Sequence, residues 1–321
     1  MFRRHRSGAG DIAPAATLGG RRVGLGADAL QAVVLAPDGA VFDAWSGSAT
    51  LAERRHGCVR YATDGHWLHG VAEIDDRAIG LQPASHRAYA DLFEVLAESA
   101  CPSLLRLWNY FADINREADG SERYRQFNAG RQQAFIEARR SAFEGAPAAC
   151  ALGTRAGPLR VYFLAGRQPP LAIENPRQVS AYRYPDTYGP RSPTFSRAAL
   201  ADVGGGRQVL FISGTASIVG HTSLHVGDVR RQTEESLLNI ATLRQAAAER
   251  AGAAFRADDM IYTVYVRHPV DLGVVREVFE REVGAASAAA REAVYLQADI
   301  CRADLLVEIE AHGFVPAGVA G

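Results

Sequence analysis

The sequence contains no lysine, so all 35 of its basic residues are arginine. A Schiff-base lysine, the usual anchor of pyridoxal phosphate, and the lysine of a nucleotide-binding P-loop are therefore excluded. The planar guanidinium group of arginine suits carboxylate ligands. A GC-rich genome would produce the same bias without any functional reason.

Other features are also scarce. The four cysteines, which show no C-x-x-C spacing, disfavour a zinc site and a disulfide scaffold, and we expect them to be reduced: Cys58, Cys101, Cys150 and Cys301. No apolar run reaches the ~18 residues of a membrane span, and no apolar stretch follows the first arginines as in a secretory signal. The net charge of −1 lacks the basic surplus that nucleic acid requires. These absences predict a cytoplasmic protein that binds neither membranes nor nucleic acid.

The order of the predicted elements indicates an α+β protein. Short strand-like runs fill the first third, where "PDG" at residues 37–39 predicts a hairpin. Helical periodicity follows over residues 85–100 and 122–144, each time before a strand-like run, and again over residues 233–251 and 270–283. Because helix, strand, helix, strand occurs twice at a separation of roughly 150 residues, we predict two similar domains, 1–170 and 171–321, with mixed sheets packed against helices.

The segment between these halves, residues 173–198, has neither helical nor strand periodicity. Long irregular segments inside compact proteins are usually functional or disordered. This one contains four aromatic residues, which favour an ordered loop, and four arginines, which favour an anionic ligand: Tyr182, Tyr184, Tyr188 and Phe195, and Arg177, Arg183, Arg191 and Arg197.

The closing strand "DLLVEIEA", residues 304–311, contains a glutamate inside an apolar run. Strand alternation predicts Leu305, Val307 and Ile309 on one face, and Glu308 with Glu310 on the other. If the glutamate face borders a pocket, the pKa of Glu308 rises and the residue becomes a candidate general acid. If that face is solvated, Glu308 is an ordinary surface carboxylate.

Four further residues have two interpretations each. Cys301 is a nucleophile or a small core residue. Gly214, inside the strand-like "VLFISGTAS", marks a bulge or the close approach of a ligand. Tyr124 and Arg131 are two helical turns apart, on a binding face or on a solvated helix surface.

His221, His225 and Asp228 lie close together in "GHTSLHVGD". The spacing of the two histidines would suit a metal on a helix, but the glycine and serine content predicts a loop. We therefore predict no metal site here.

Several motifs together resemble a known family. "FISGTASIVGH", "GDVRRQTEESLLNI" and "DLLVEIEA" resemble the signature series of the RidA/YjgF superfamily. In combination with "ENPRQVSAYRYP", "YGPRSP" and "ERYRQFNAGR", the chain from about residue 104 to 313 resembles the chorismatase family. The resemblance implies two α+β domains, the C-terminal one RidA/YjgF-like, and a cofactor-free cleavage of chorismate that releases pyruvate.

The resemblance also implies roles for particular residues. Glu308 matches the catalytic proton donor. Gly214 and Cys301 match members that form 3-hydroxybenzoate, in which the substrate's own hydroxyl attacks internally to give an epoxide-like intermediate, with Cys301 assisting. The implied substrate contacts are Tyr124, Arg131, Tyr184 and Arg197, with Arg183 and Arg191 as alternatives in the loop.

Other outcomes stay open. Related chorismatases form a dihydroxycyclohexadiene carboxylate, or 3- and 4-hydroxybenzoate together. A RidA-type imine deaminase would need an arginine where this chain has Ala293, with Arg291 near but out of phase, and such proteins are short chains that assemble as trimers. A non-catalytic binding module would need the pocket without Glu308. We expect a monomer.

Overall fold

A computed structural model describes residues 2–7, 17–24, 29–47, 51 and 53–317. Within these residues the strands, in chain order, are β1 (Phe2–Ser7), β2 (Thr17–Val23), β3 (Val33–Ala36), β4 (Ala40–Ser46), β5 (Glu53–His56), β6 (Val59–Thr63), β7 (Trp67–Ile74), β8 (Ser103–Ala112), β9 (Glu117–Ala118), β10 (Ser121–Glu122), β11 (Ala148–Thr154), β12 (Leu159–Gly166), β13 (Leu171–Ile173), β14 (Ala198–Gly204), β15 (Arg207–Thr215), β16 (Ile218–Val219), β17 (Thr222–Ser223), β18 (Ile261–Val266), β19 (Val294–Gln297) and β20 (Val307–Pro316). The α-helices are α1 (Leu81–Ala97), α2 (Arg123–Glu137), α3 (Val229–Ala251), α4 (Leu272–Val283) and α5 (Ala288–Glu292). None of these helices is both long enough and apolar enough to cross a membrane.

Two large mixed sheets form the body of the molecule. The six-stranded sheet has the order β11-β8-β12-β7-β6-β5, and the seven-stranded sheet has the order β3-β19-β18-β20-β15-β14-β13. Without β3, the two sheets share one connectivity, including a parallel pair, β8 with β11 and β18 with β19, beside an antiparallel strand. The predicted internal repeat and the predicted α+β class are confirmed.

The sheets pack face to face, and helices cover their outer faces. Side chains of both sheets, such as Trp108 and Tyr162 of the first and Phe211 and Leu296 of the second, share one buried core. A second core lies between the six-stranded sheet and helices α1 and α2. A third lies between the seven-stranded sheet and helices α3, α4 and α5. The result is four layers, with helices outside and the two large sheets inside. A three-stranded sheet of order β1-β4-β2 adds Phe2, Val41 and Trp45 to the core between the large sheets.

The alternation of β20 places its carboxylates between the sheets. Val307 and Ile309 belong to the core beneath the helices, whereas Glu308 and Glu310 point toward the other sheet. The strand begins only at Val307, because residues 301–304 form bends and a turn, so the predicted position of Leu305 is wrong. Leu305 packs into the core between the sheets.

The hairpin predicted at "PDG" is also wrong. The turn connects β3 to β4, but β3 pairs with β19 and β4 pairs with β1 and β2. β3 forms its backbone hydrogen bonds with the edge of β19, which lies almost 260 residues further along the chain. A local turn signal contains no information about such a distant partner. A strand of the first 170 residues therefore completes the sheet of the C-terminal half.

The helices match their predicted positions with changes at the ends. Helix α1 begins at Leu81 rather than at 85, and α2 ends at Glu137 rather than at 144. Beyond α2, Arg139 has a positive φ of 53°, which a continuing helix does not allow. Helix α3 begins four residues earlier than predicted because Asp228 accepts a hydrogen bond from the backbone N–H of Arg231 as its N-cap.

Candidate active site

A cavity of about 370 Å³ opens where the first turn of α2, the seven-stranded sheet and the irregular segment meet. The N-terminal half contributes the first turn of α2, and the C-terminal half contributes β15, the turn before β20 and β20 itself. Its lining residues include Glu122, Tyr124, Arg125, Tyr184, Tyr188, Phe195, Arg197, Gly214, Cys301, Arg302, Asp304 and Glu308. Residues from both halves therefore form one cavity.

Glu308 lies in this cavity and is only 3% exposed. Burial, together with repulsion from Glu310, raises the pKa of Glu308 to about 8, although Arg106 acts in the opposite direction. Among the described residues, no side chain or backbone group makes a hydrogen bond to its carboxyl group. Of the two possibilities for this strand face, the solvated one is excluded, and Glu308 is mostly protonated at neutral pH.

Glu310, two residues further on the same face, has the opposite environment. Arg21 Nη1 and the Tyr265 hydroxyl each donate to Glu310 Oε1 over 3.0 Å, and Arg106 forms an ion pair with Oε2. Although burial disfavours its charge, the two arginines lower the pKa of Glu310 to about 2. The strand therefore presents one neutral and one charged carboxyl group to the space between the sheets.

Gly214 leaves the space that the Glu308 carboxyl group occupies. It lies where the pairing of β15 with β20 shifts by one residue, so the predicted bulge is present. A Cβ atom at this position would overlap Glu308 Oε1 and lie 2.7 Å from Cδ and 3.0 Å from Cys150 Cβ. Any larger residue at 214 requires Glu308 to move.

Cys301 is partly buried and lines the cavity in the turn before β20. Burial, together with the neighbouring Glu308, raises the pKa of the Cys301 thiol to about 12. The thiol is therefore protonated at neutral pH, which disfavours a nucleophilic role and leaves an S–H group facing the cavity.

Tyr124 and Arg131 occupy the inner face of α2, but only Tyr124 lines the cavity. Arg131 is 1% exposed, its guanidinium carbon lies 4.8 Å from the Phe127 ring centroid, and its Nη2 donates to Asn128 Oδ1 over 2.9 Å. Its buried Nε has no hydrogen-bond partner, and no carboxylate of the described residues pairs with it. The solvated interpretation of this helix face is therefore wrong.

The irregular segment supplies Tyr184 and Arg197 to the cavity. Arg197 Nη2 donates to the Tyr184 hydroxyl and to the carbonyl of Val179, each over 2.7 Å. Arg183 and Arg191, by contrast, are exposed and do not line the cavity. The structure brings two of the four predicted loop residues together with Glu308.

Sequence reasoning missed several lining residues, of which Arg302 and Tyr188 are the most prominent. Arg302 follows Cys301 directly, in a "CRAD" turn that has no periodicity to orient its side chain. Tyr188 lies in the irregular segment, where four aromatics could not be ranked. Arg302 could have been proposed from the sequence because it directly follows the candidate site residue Cys301.

The side chains of "GHTSLHVGD" have separate partners. The Tyr188 hydroxyl lies 3.3 Å from His221 Nδ1, His225 Nε2 lies 3.7 Å from Glu235 Oε2, and Asp228 caps α3. His221, His225 and Asp228 are thus engaged in local packing and capping.

Comparison with known proteins gives a consistent result. The family "Chorismatase FkbO/Hyg5-like, N-terminal" matches residues 43–165. A 3-hydroxybenzoate synthase from Streptomyces hygroscopicus is 41% identical over 276 residues, which are 81% of this chain and 78% of that protein. A chorismatase from Streptomyces rapamycinicus is 40% identical over 281 residues, 84% of this chain and 80% of that protein.

Solved structures extend the comparison to the fold. A chorismatase crystal structure has a TM-score of 0.86 and 32% identity, and the match covers 98% of each chain. RidA from an Antarctic Psychrobacter covers 45% of this chain, with 21% identity and a TM-score of 0.31. On the identity and coverage of the curated relatives, this chain belongs to the chorismatase family.

Proposed function

We propose that this protein is a lyase that cleaves chorismate into 3-hydroxybenzoate and pyruvate, with Glu308 as the proton donor. One observation contributes most: a buried carboxyl group with a pKa of about 8 lines a cavity beside arginines that lack carboxylate partners. The relative named 3-hydroxybenzoate synthase supports the choice of product.

The cationic side chains of the site suit the charge of chorismate, which carries two carboxylates. Among the described residues, Arg197, which lines the cavity, forms no ion pair, and neither does Arg131, which does not line it. The Nε of each is buried without a partner. Buried cations without partners are costly, so their presence favours an anionic ligand. Tyr124 and Tyr184 add phenol groups beside these arginines.

Glu308 supplies the chemistry that a vinyl ether requires. A neutral carboxyl group donates its proton to the terminal methylene carbon, and the resulting oxocarbenium ion weakens the bond between the ether oxygen and the ring. The neighbouring ring hydroxyl oxygen attacks the ring carbon that pyruvate leaves, and the hydroxyl proton returns to the Glu308 carboxylate. One C–O bond of the epoxide-like intermediate then breaks, the ring carbon loses a proton and the remaining oxygen takes one up, which gives the aromatic phenol. Protons and electron pairs balance without water or a redox partner.

Gly214 and Cys301 support the 3-hydroxybenzoate product over the diol. The missing Cβ at Gly214 lets the Glu308 carboxyl group lie against β15, and the protonated Cys301 thiol can donate a hydrogen bond into the cavity. We propose that these two residues hold the acid and the ring hydroxyl in the arrangement that favours internal attack over attack by water.

The remaining features of the proposal concern the whole chain. We propose domains of residues 1–170 and 171–321 with the active site near their interface, which the mixed origin of the cavity lining supports. We propose that the protein acts as a monomer. The four unpaired thiols are in accord with a reducing cytoplasm.

The test is to incubate the purified protein with chorismate, to follow pyruvate with a coupled assay and to separate the aromatic products by liquid chromatography with mass detection. We expect pyruvate and 3-hydroxybenzoate in equal amounts. The diol, or a mixture with 4-hydroxybenzoate, would place the protein in another product branch. No pyruvate above the spontaneous rate would contradict chorismate cleavage.

The Glu308→Gln variant separates the enzyme from a binding module. We expect kcat to fall about 10²- to 10⁴-fold, the usual contribution of a general acid, while the affinity for a chorismate-like ligand persists. Glu249→Gln, an exposed site on α3, is the matched control. Full turnover by Glu308→Gln would contradict the assigned role.

A further inference from the structure

Arg302 is a cavity-lining cation in the turn before β20. Its guanidinium carbon lies 4.0 Å from the ring centroid of Tyr188 and 5.2 Å from that of Tyr184. These two rings hold the side chain against the irregular segment, so the position of the charge is fixed before any ligand arrives.

The charge of Arg302 is not balanced within the described part of the chain. Its Nη1 donates to the carbonyl of His221 over 2.9 Å and to Ser223 Oγ over 3.2 Å, and both acceptors are neutral. Its Nη2 is buried and has no hydrogen-bond partner. Asp304, the nearest carboxylate in sequence, instead accepts a hydrogen bond from Ser223 Oγ over 3.1 Å. One arm of the guanidinium fork thus has no hydrogen-bond acceptor among the described residues.

Arg197, which donates a hydrogen bond to the Tyr184 hydroxyl, likewise has no acidic partner among the described residues. Its guanidinium carbon lies 5.5 Å from the Tyr184 ring centroid, and its Nε is buried without a partner. Its acidic neighbour Glu174 forms no ion pair with it, and burial raises the pKa of Glu174 in spite of Arg197. Tyr184 therefore lies within cation–π distance of two unpaired arginines.

We propose that Arg302 binds one of the two carboxylates of chorismate, while Arg197, which lines the same cavity, binds the other. This inference rests on the proposed function and extends it to the recognition of a dianion. Two separate cations recognise two separate carboxylates, so the site selects dicarboxylates over monocarboxylates. Arg302 is a substrate-binding residue in this account, because it holds a group that does not react.

The experiment compares wild type with Arg302→Gln by calorimetric titration of three unreactive probes. They are 3-(carboxymethoxy)benzoate, which has both carboxylates, 3-ethoxybenzoate, which has only the ring carboxylate, and phenoxyacetate, which has only the side-chain carboxylate. Because glutamine is two atoms shorter than arginine and loses the contact with the His221 carbonyl, Tm is measured for each variant as a check on folding. Arg250→Gln at an exposed site is the matched control.

We expect Arg302→Gln to weaken the dicarboxylate about 10- to 100-fold, the value of one charge-assisted hydrogen-bonded contact, and to weaken only one of the two monocarboxylates. With chorismate, KM should rise by a similar factor while kcat changes little, because the contact persists from ground state to transition state. Arg302→Lys, which keeps the charge and loses the fork, should fall between Gln and wild type.

Three results would overturn the inference. The first is an affinity of Arg302→Gln for the dicarboxylate within about twofold of wild type. The second is an equal loss of affinity for all three probes together with a lowered Tm, which would indicate that Arg302 only stabilises the fold. The third is identical behaviour of Arg302→Gln and Arg302→Lys. A wild-type protein that neither cleaves chorismate nor binds the dicarboxylate would instead contradict the proposed function itself.

Discussion

Two glutamates on one strand face show how local environment separates chemical roles. Glu308 is buried without a cation at hydrogen-bond distance, and its pKa rises to about 8. Glu310 contacts Arg21 and Arg106, and its pKa falls to about 2. The charged carboxylate in turn makes ionisation of its neighbour less favourable. At neutral pH, the strand therefore presents a proton donor next to a fixed negative charge.

The product branch is testable at the same scale. In the double variant Gly214→Ala/Cys301→Ala, the added methyl group displaces the Glu308 carboxyl group and the thiol is lost. We expect the share of 3-hydroxybenzoate to fall and that of the diol to rise, measured as a product ratio by liquid chromatography with mass detection. Cys58→Ala, outside the cavity, is the control. An unchanged ratio in the double variant would remove both residues from the account of product choice.

The directions of side chains were predicted correctly in regular helices and strands, where the periodicity of the element fixes them. Alternation in β20 predicted the face of Glu308, and helical spacing predicted the shared face of Tyr124 and Arg131. Prediction failed in turns and loops, where neighbouring side chains diverge without a period. Arg302 faces the cavity, and the loop candidate Arg183 is exposed although it adjoins Tyr184.

At the scale of elements, local signals were sufficient for helices and insufficient for strand partners. The periodicity of α1 and α3 is a property of contiguous residues, so both helices were found, with errors only at their ends. The partner of β3 is a property of the folded sheet, since β19 lies far along the chain. The same distance explains why the "PDG" turn was taken for a hairpin.

The proposed N-cap of α3 can be tested by mutation. Asp228→Ala removes the hydrogen bond to the N–H of Arg231 and should lower the free energy of unfolding by about 1 kcal/mol. Asp228→Asn keeps a capping oxygen and should stay close to wild type, as measured by chemical denaturation. Equal stabilities of the two variants would contradict the capping role, and a large loss of activity in both would point to a function in the site.

At the scale of the whole molecule, the repeat explains the site. Two sheets of the same connectivity pack face to face, and the cavity lies where α2 of the first half and the sheet of the second half meet the irregular segment. A buried ion network joins the layers, because Arg106 belongs to β8, Arg21 to β2 and Glu310 to β20. The same contacts that connect the sheets thus set the charge next to Glu308.

Glu310→Gln tests this connection. Removing one partner of a buried ion pair typically costs about 3–5 kcal/mol, so we expect a large fall in Tm relative to the Glu249→Gln control. In wild type, the folded-state pKa of Glu310 lies below its unfolded value, so its stabilisation is present above about pH 4.5 and is lost as the pH falls toward about 2. The variant should lack this part of the acid dependence in denaturation experiments. A Tm equal to that of the control would contradict the proposed link between the layers.

The most direct test of the central claim is the pH dependence of kcat/KM for chorismate cleavage, from about pH 6 to about pH 10, because kcat/KM reports the ionisation of the acid in the free enzyme. If the protonated form of Glu308 is the donor, kcat/KM should be highest at the lower end and fall as the pH rises through about 8. The residual activity of Glu308→Gln should show no such fall. A kcat/KM that rises through this range, or a falling limb that persists unchanged in Glu308→Gln, would contradict Glu308 as the proton donor.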